Sequence, residues 1–185
     1  MSEAVTQRLF HLQDWRQAGP GGFRALGNGV VESFGGSGIY WYAAETYADF
    51  KLLIEWRVQQ PTDNSGVFLR IPPLERDPRP AIEQGYEIQI DERGIDPAER
   101  RADDPLHLTG AVYNLAPAIA RASRPVGEWN DFTITALGQR LVVLQNNIEV
   151  CRLDHGGRRE QGHIGLQNHH DGSAVQFRNL EITPL

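Results

Sequence analysis

Apolar and polar residues alternate along several short segments of the chain, and this pattern predicts strands. In residues 49–59 an apolar side chain occupies every second position from Phe50 to Val58, and the opposite face is polar apart from Leu53. Residues 86–91 show the cleanest alternation, because Tyr, Ile and Ile are separated by Glu, Gln and Asp. A period of two indicates a strand with one buried face.

Shorter segments of the same kind are spread along the chain and are separated by turn residues. Further strands are predicted at residues 23–26, 30–34, 39–42, 66–71, 132–136, 140–145, 148–153, 162–167 and 175–182. Residues 96–104, with Pro97 at the first helical position, could form one or two helical turns on a surface loop. We therefore predict an all-β fold, an antiparallel two-sheet jelly-roll sandwich, with less than about a tenth of the chain in α-helix.

Composition narrows the class of protein. The 185 residues are 40% hydrophobic and 23% charged, which fits one globular domain over residues 1–185. The net charge of −6 and the single lysine, Lys51, leave no basic stripe, so we expect no nucleic-acid partner. One cysteine, Cys151, excludes an internal disulfide. We see no membrane-spanning run or signal peptide, so we expect no membrane association and a cytoplasmic location; the oligomeric state is open.

The polar face of residues 86–91 is the strongest candidate for chemistry. Glu87, Gln89 and Asp91 lie about 7 Å apart in steps along one strand face. A solvated outer face is the plainer interpretation, but such faces more often carry Thr, Ser, Lys and Arg. The face that carries Gln167 and His169 offers partners of the same kind. Carboxylates grouped in this way could bind sugar hydroxyls, hold a cation or act as acid and base.

Two arginine-bearing segments could complete this surface. Glu55 and Arg57 share the polar face of the long strand, and Arg70 shares a face with Gly66 and Phe68. We expect Glu87, Gln89, Arg70 and His169 to converge on one pocket, with Glu55 and Asp91 within reach. No cofactor is certain; a divalent cation is possible, with Glu87 and His169 as candidate ligands.

The remaining histidines and tryptophans give weaker signals. His107 and His155 are interpreted as loop residues, and His11 has no supporting cluster. Trp56 is in phase with Phe50, so we assign it to the core rather than to sugar stacking.

Eight motifs occur in an order that resembles the 3-keto-disaccharide hydrolase family of the concanavalin A-like lectin/glucanase superfamily. They cover roughly residues 8–185 and lie at residues 29–38, 47–55, 64–70, 85–91, 109–113, 127–130, 162–169 and 175–180. The resemblance implies a concanavalin A-like sandwich that acts on sugars oxidised at C3. The positions that match the family's polar cluster are Glu55, Asn64, Arg70, Glu87, Gln89, Asp91, Tyr113, Gln167 and His169.

The resemblance also implies roles for these residues. A ketone at C3 acidifies the C2 proton, so we expect Glu87 or Asp91 to be the base and His169 the acid, with Arg70 or a divalent cation at the ketone. The residues expected to bind the substrate are Glu55, Asn64, Gln89, Tyr113 and Gln167. Residues 72–84 form an insertion of this chain's own at the pocket rim.

Two other functions stay open. One is a carbohydrate-binding module without chemistry, and the other is a conventional glycosidase. A retaining glycosidase needs two carboxyl groups about 5–5.5 Å apart, whereas Glu87 and Asp91 are two strand steps, about 13 Å, apart.

Overall fold

The computed structural model describes residues 5–10 and 12–185, so His11 lies outside the described residues. The first half of the chain contains β1 Gln7–Arg8, a 3₁₀ turn Leu12–Asp14, β2 Trp15–Ala18, β3 Gly22–Gly27, β4 Val30–Phe34, β5 Gly38–Tyr42, β6 Phe50–Arg57, β7 Asn64–Ile71, α1 Arg79–Gln84 and β8 Tyr86–Asp91. The second half contains β9 Asn130–Leu137, β10 Arg140–Gln145, β11 Ile148–Leu153, β12 His163–Asn168 and β13 Gln176–Pro184.

The strands form two antiparallel sheets. The larger sheet has the order β11-β10-β9-β6-β13-β4-β3, with β1 paired to β13, and the smaller has the order β2-β5-β12-β7-β8. The predicted all-β, concanavalin A-like jelly-roll sandwich is confirmed. α1 is six residues long, in line with the predicted scarcity of helix. No helix in the described part of the chain has the length and apolar character needed to cross a bilayer.

The core between the sheets follows the alternation read from the sequence. On β6, Phe50 and Trp56 are fully buried. The ring of Trp56 packs against that of Phe132 of β9, with the ring centroids 5.2 Å apart. On β8, Ile88 and Ile90 point into the same core. Because successive side chains of a strand point to opposite faces, the polar residues of β8 lie on the outer face of the five-stranded sheet.

A second, smaller apolar cluster covers part of that outer face. Leu74 and Ala81, from the segment around α1, pack against Phe68 and Ile71 of β7. Pro residues suit the first turn of a helix, since they have no N–H to leave unpaired, and α1 carries one there. The helical turns considered for residues 96–104 are instead hydrogen-bonded turns, so the one described α-helix lies in the insertion at residues 72–84.

An irregularity in β7 changes the direction of its last side chains. Arg70 has a φ of +53°, in the left-handed region that non-glycine residues seldom adopt. Opposite it, His163 pairs with Ile71 and Gly165 pairs with Phe68, so β7 carries one extra residue. A bulge of this kind reverses the alternation beyond it. Ile71 therefore shares the outer face with Phe68, and Arg70 does not.

Candidate active site

A cavity of about 340 Å³ opens on the outer face of the five-stranded sheet. This volume lies near the lower end of the range of small-molecule sites. The lining residues come from β7, β8, β12, the loops around residues 37, 93–97 and 113, and α1: Ser37, Asn64, Ile82, Glu87, Gln89, Asp91, Arg93, Ile95, Pro97, Tyr113, Gln167 and His169.

Tyr113 reaches the cavity because its segment pairs with the outer edge of β8. The Tyr113 N–H donates to the Glu87 carbonyl at 2.9 Å, and Gln89 exchanges backbone hydrogen bonds with Gly110 and Ala111. Burial, followed by the negative charges of Glu87 and Asp96, raises the pKa of the Tyr113 phenol. Tyr113 therefore faces the cavity as a neutral hydroxyl that can donate a hydrogen bond.

Glu87 lies at the back of the cavity and is 6% exposed. Its side chain lies over Gly66 of β7, where an added Cβ would come within 2.3 Å of Glu87 Oε1. Desolvation raises the pKa of Glu87 to about 8, against the opposing effects of Arg158 and Gln167. Glu87 is therefore protonated at neutral pH and available as a proton donor.

Asp91 lies at the end of β8 and is fully buried. One carboxylate oxygen accepts the Asn64 amide at 3.1 Å and the Ile95 N–H at 3.4 Å, and the other accepts the Arg93 N–H at 3.0 Å. Asn64 in turn accepts the Gln89 amide at 3.4 Å. These bonds fix Asn64, Gln89 and the start of the next loop relative to one another.

Three buried oxygens in the cavity lining have no hydrogen-bond partner within the protein. They are Oε1 of Glu87, Oε1 of Gln89 and Oε1 of Gln167. Buried polar atoms are nearly always paired, because leaving one unpaired costs free energy. A ligand rich in hydroxyl groups would supply the missing donors.

His169 and Arg93 lie at the rim. His169 follows β12, where local loss of water and then the charge of His170 lower its pKa below the usual 6.5. His169 is therefore a neutral imidazole at neutral pH. Arg93 Nε lies 3.4 Å from Asp91 Oδ1 without a well-formed hydrogen bond, so the guanidinium can donate to a ligand.

The expected convergence of residues holds for most of the predicted set. Asn64, Glu87, Gln89, Asp91, Tyr113, Gln167 and His169 line the one cavity. Their roles in binding or catalysis stay predictions.

Arg70 does not lie in the cavity, and its predicted place there was wrong. The bulge in β7 turns its side chain away, and its guanidinium donates to the carbonyls of Ala48 at 2.6–2.8 Å and Gly138 at 2.5 Å. A further bond of 3.2 Å reaches Asp49. Arg70 thus ties the β5–β6 loop and the β9–β10 turn to β7, and its role is structural.

We expect Arg70→Met to destabilise the fold by roughly 3 kcal/mol, since it removes the four hydrogen bonds of a fully buried guanidinium and leaves Asp49 without its cation. Urea unfolding measures the change. Arg76→Met is the control, because Arg76 lies outside this cluster. If Arg70→Met leaves the stability unchanged but reduces sugar turnover, Arg70 acts in the active site and its structural role is wrong.

Glu55 was also misplaced by the sequence prediction. β6 belongs to the larger sheet, and its polar face is the outer surface of that sheet. There Glu55 accepts hydrogen bonds from Arg178 at 2.5 Å and Asn179 at 2.8 Å. Alternation identified the face of the strand correctly, but it does not say to which sheet the strand belongs.

The cavity contains residues that the sequence prediction did not include. Arg93, Ile95 and Pro97 come from a loop without a periodic pattern, and Ser37 comes from a glycine-rich loop. The position of Arg93, two residues after Asp91, is the one signal that could have identified it. Ile82 comes from α1, in the insertion expected at the rim.

Comparison with known proteins identifies related sequences. The sequence profile of the 3-keto-alpha-glucoside-1,2-lyase-like domain matches residues 6–183. A 3-keto-disaccharide hydrolase of Bacteroides thetaiotaomicron is 25% identical over an alignment 195 positions long, which covers 86% of this chain. The match spans 66% of that protein, just under two thirds of its length.

Solved structures share the fold. A candidate glycosyl hydrolase from Parabacteroides distasonis superposes with a TM-score of 0.80 at 19% identity, over 97% of this chain and 94% of that one. The carbohydrate-binding module CBM66 from Bacillus subtilis superposes with a TM-score of 0.60 at 12% identity, over 91% and 94%. One sandwich architecture thus serves proteins of different kinds, and function has to be argued from the site.

Proposed function

This chain belongs to the 3-keto-alpha-glucoside-1,2-lyase-like family, and we propose that it cleaves the glycosidic bond of small sugars that carry a ketone at C3. The relative from Bacteroides thetaiotaomicron supports such an activity at the level of the family. The observation that carries the proposal for this chain is the cavity itself, in which a protonated Glu87 and a neutral His169 line the same space.

The cavity suits a polyol. The three unpartnered oxygens of Glu87, Gln89 and Gln167 are acceptors for sugar hydroxyls. The aromatic rings in the lining belong to Tyr113 and His169 alone. Binding would therefore depend on hydrogen bonds more than on stacking against flat aromatic surfaces.

The pKa directions favour the reverse of the roles that the resemblance implied. Glu87, with its pKa raised to about 8, suits the acid that protonates the departing oxygen. His169, with its lowered pKa, suits the base that removes the C2 proton. Asp91 already accepts three hydrogen bonds, and we assign it the positioning of Asn64 and the Arg93 loop.

The bond changes then follow in order. His169 takes the proton from C2, and the electrons form an enolate whose oxygen at C3 is stabilised by Arg93 and the Tyr113 hydroxyl. The enolate reforms the ketone as the C1–O bond breaks, and Glu87 gives its proton to the leaving oxygen. Water then adds across the C1–C2 double bond, with the hydroxyl on C1 and the proton on C2, which completes net hydrolysis.

The test is cleavage of a methyl 3-keto-glucoside by the purified protein in deuterated water. We expect cleavage with deuterium at C2 of the 3-keto-glucose product, and no cleavage of the matching unoxidised glucoside, because only the ketone acidifies C2. Spontaneous exchange is subtracted with an enzyme-free sample. NMR measures both the products and the label.

Three results would contradict parts of this proposal. Cleavage without C2 deuterium would exclude elimination while leaving the substrate in place. Equal cleavage of the unoxidised glucoside would indicate a conventional glycosidase. Binding of the sugar without cleavage, with or without added divalent cations, would indicate a carbohydrate-binding protein.

A further inference from the structure

A group of possible metal ligands lies in the loop after β8, outside the cavity lining. Asp96, Asp104 and His107 each offer one ligand atom, and these atoms lie within 4.8 Å of one another. Within the described residues this is the set of three that meets such a spacing, and it includes neither Glu87 nor His169.

His107 is the residue that calls for a ligand. It is 5% exposed, and neither of its ring nitrogens has a hydrogen-bond partner in the protein. Its Nδ1 lies 3.4 Å from Asp104 Oδ1 without forming a hydrogen bond to it. A buried imidazole without partners costs free energy that a bound cation between it and the carboxylates would offset.

Both carboxylates are available as anionic ligands. Asp104 accepts the Leu106 N–H on Oδ1 at 2.8 Å and the Arg101 guanidinium on Oδ2 at 3.1 Å, and each oxygen keeps a further lone pair. Asp96 uses Oδ1 to accept the N–H groups of Ala98 and Glu99, at 2.7 and 3.1 Å. Its Oδ2 takes no part in those bonds and can face a cation.

Backbone hydrogen bonds hold the group in place. The Asp104 N–H donates to Gly94 at 3.0 Å, the His107 N–H to Asp104 at 3.0 Å, and the Asp96 N–H to Arg101 at 2.9 Å. The ligands are thus brought together by the loop's own bonds. A site of this kind requires little reorganisation when an ion binds.

We propose that Asp96, Asp104 and His107 bind one divalent transition-metal ion, with Zn²⁺ favoured over Mg²⁺ and Ca²⁺. One imidazole nitrogen and two carboxylate oxygens form a ligand set that suits Zn²⁺, with a water at the remaining position. Mg²⁺ and Ca²⁺ prefer sites made of oxygen alone.

The ion would stiffen one wall of the cavity. The ring of Tyr113 meets that of His107 edge-on, with centroids 4.8 Å apart, and Tyr113 lines the cavity. Ile95 and Pro97, the chain neighbours of Asp96, line it as well. The site is therefore separate from the proposed acid and base, but it supports the loop that surrounds them.

The test is calorimetric titration of the metal-free full chain with Zn²⁺, and then with Mg²⁺ and Ca²⁺. We expect one Zn²⁺ per chain, bound at least about tenfold more tightly than either other ion. Asp96→Asn and His107→Ala should each weaken Zn²⁺ binding at least about tenfold, since changes to groups that merely support ligands already cost that much. Zn²⁺ should also raise the melting temperature of the unsubstituted protein.

Controls separate this site from others. His155→Ala removes an exposed histidine elsewhere and should leave Zn²⁺ affinity unchanged. If His107→Ala does not fold, the Zn²⁺ affinity of Asp96→Asn, a substitution at a half-buried residue, is sufficient to test the site. Absence of Zn²⁺ binding, affinity equal in the substituted and unsubstituted proteins, or tighter binding of Mg²⁺ or Ca²⁺ would each overturn the proposal. None of these readouts depends on cleavage of a sugar.

Discussion

Glu87→Gln is expected to lower the cleavage of a methyl 3-keto-glucoside by about 10²-fold or more, because the amide cannot protonate the departing oxygen. The substitution keeps the shape of the side chain over Gly66. A 4-nitrophenyl 3-keto-glucoside, whose leaving group departs without a proton, should be cleaved nearly as well by the variant as by the unsubstituted protein. Glu83→Gln, on the exposed side of α1, is the matched control.

The pH profile provides a second test of the same assignment. If the protonated form of Glu87 is active, kcat/KM falls as the pH rises through about 8, and Glu87→Gln removes this alkaline limb. If Glu87→Gln cleaves the 4-nitrophenyl glycoside as slowly, relative to the unsubstituted protein, as it cleaves the methyl glycoside, then Glu87 is not the acid.

Glu87→Gln should raise the free energy of unfolding at alkaline pH, although it lowers activity. The pKa of Glu87 is raised from 4.5 to about 8 by folding, so the unfolded chain releases the proton at lower pH than the folded one. The stability that the buried acid contributes is therefore complete below pH 4.5 and is lost as the pH rises toward 8. We expect Glu87→Gln to be more stable than the unsubstituted protein at pH 8, on the order of 4 kcal/mol, and equal to it at pH 4. Urea unfolding at both values measures this difference.

Local alternation was sufficient to predict the position of the β8 residues. Glu87, Gln89 and Asp91 share one face because a regular strand allows no other arrangement, and the core residues between them follow from the same rule. β12 gives the same outcome for Gln167, which lines the cavity as expected. These are segments in which sequence and backbone geometry agree without help from distant residues.

The errors arose where distant contacts decide the geometry. Arg70 has a positive φ, which a sequence pattern indicates only where the residue is glycine. The bulge at Arg70 is defined by the pairing of β7 with β12, which local alternation does not predict. The position of Glu55 could be predicted only by knowing that β6 belongs to the larger sheet. The role of Glu87 depends on its burial, which a sequence does not show for a carboxylate on an otherwise polar face.

His169→Gln is expected to abolish proton removal at C2, with a loss of about 10²-fold or more for the methyl and the 4-nitrophenyl 3-keto-glucosides alike. The reason is that the base acts before the leaving group departs, so a better leaving group cannot compensate for its loss. The lowered pKa of His169 also means that the acid limb of kcat/KM lies below pH 6.5 in the unsubstituted protein, where protonation removes the base.

Exchange of the C2 hydrogen distinguishes this role from any other. In deuterated water the Glu87→Gln variant should still exchange the C2 hydrogen of the methyl 3-keto-glucoside without cleaving it, whereas His169→Gln should do neither. His155→Gln, an exposed loop histidine, should behave as the unsubstituted protein does. If His169→Gln instead exchanges C2 and recovers with the 4-nitrophenyl leaving group, while Glu87→Gln does not, then Glu87 is the base and His169 the acid, and the assignment proposed from their pKa directions is reversed.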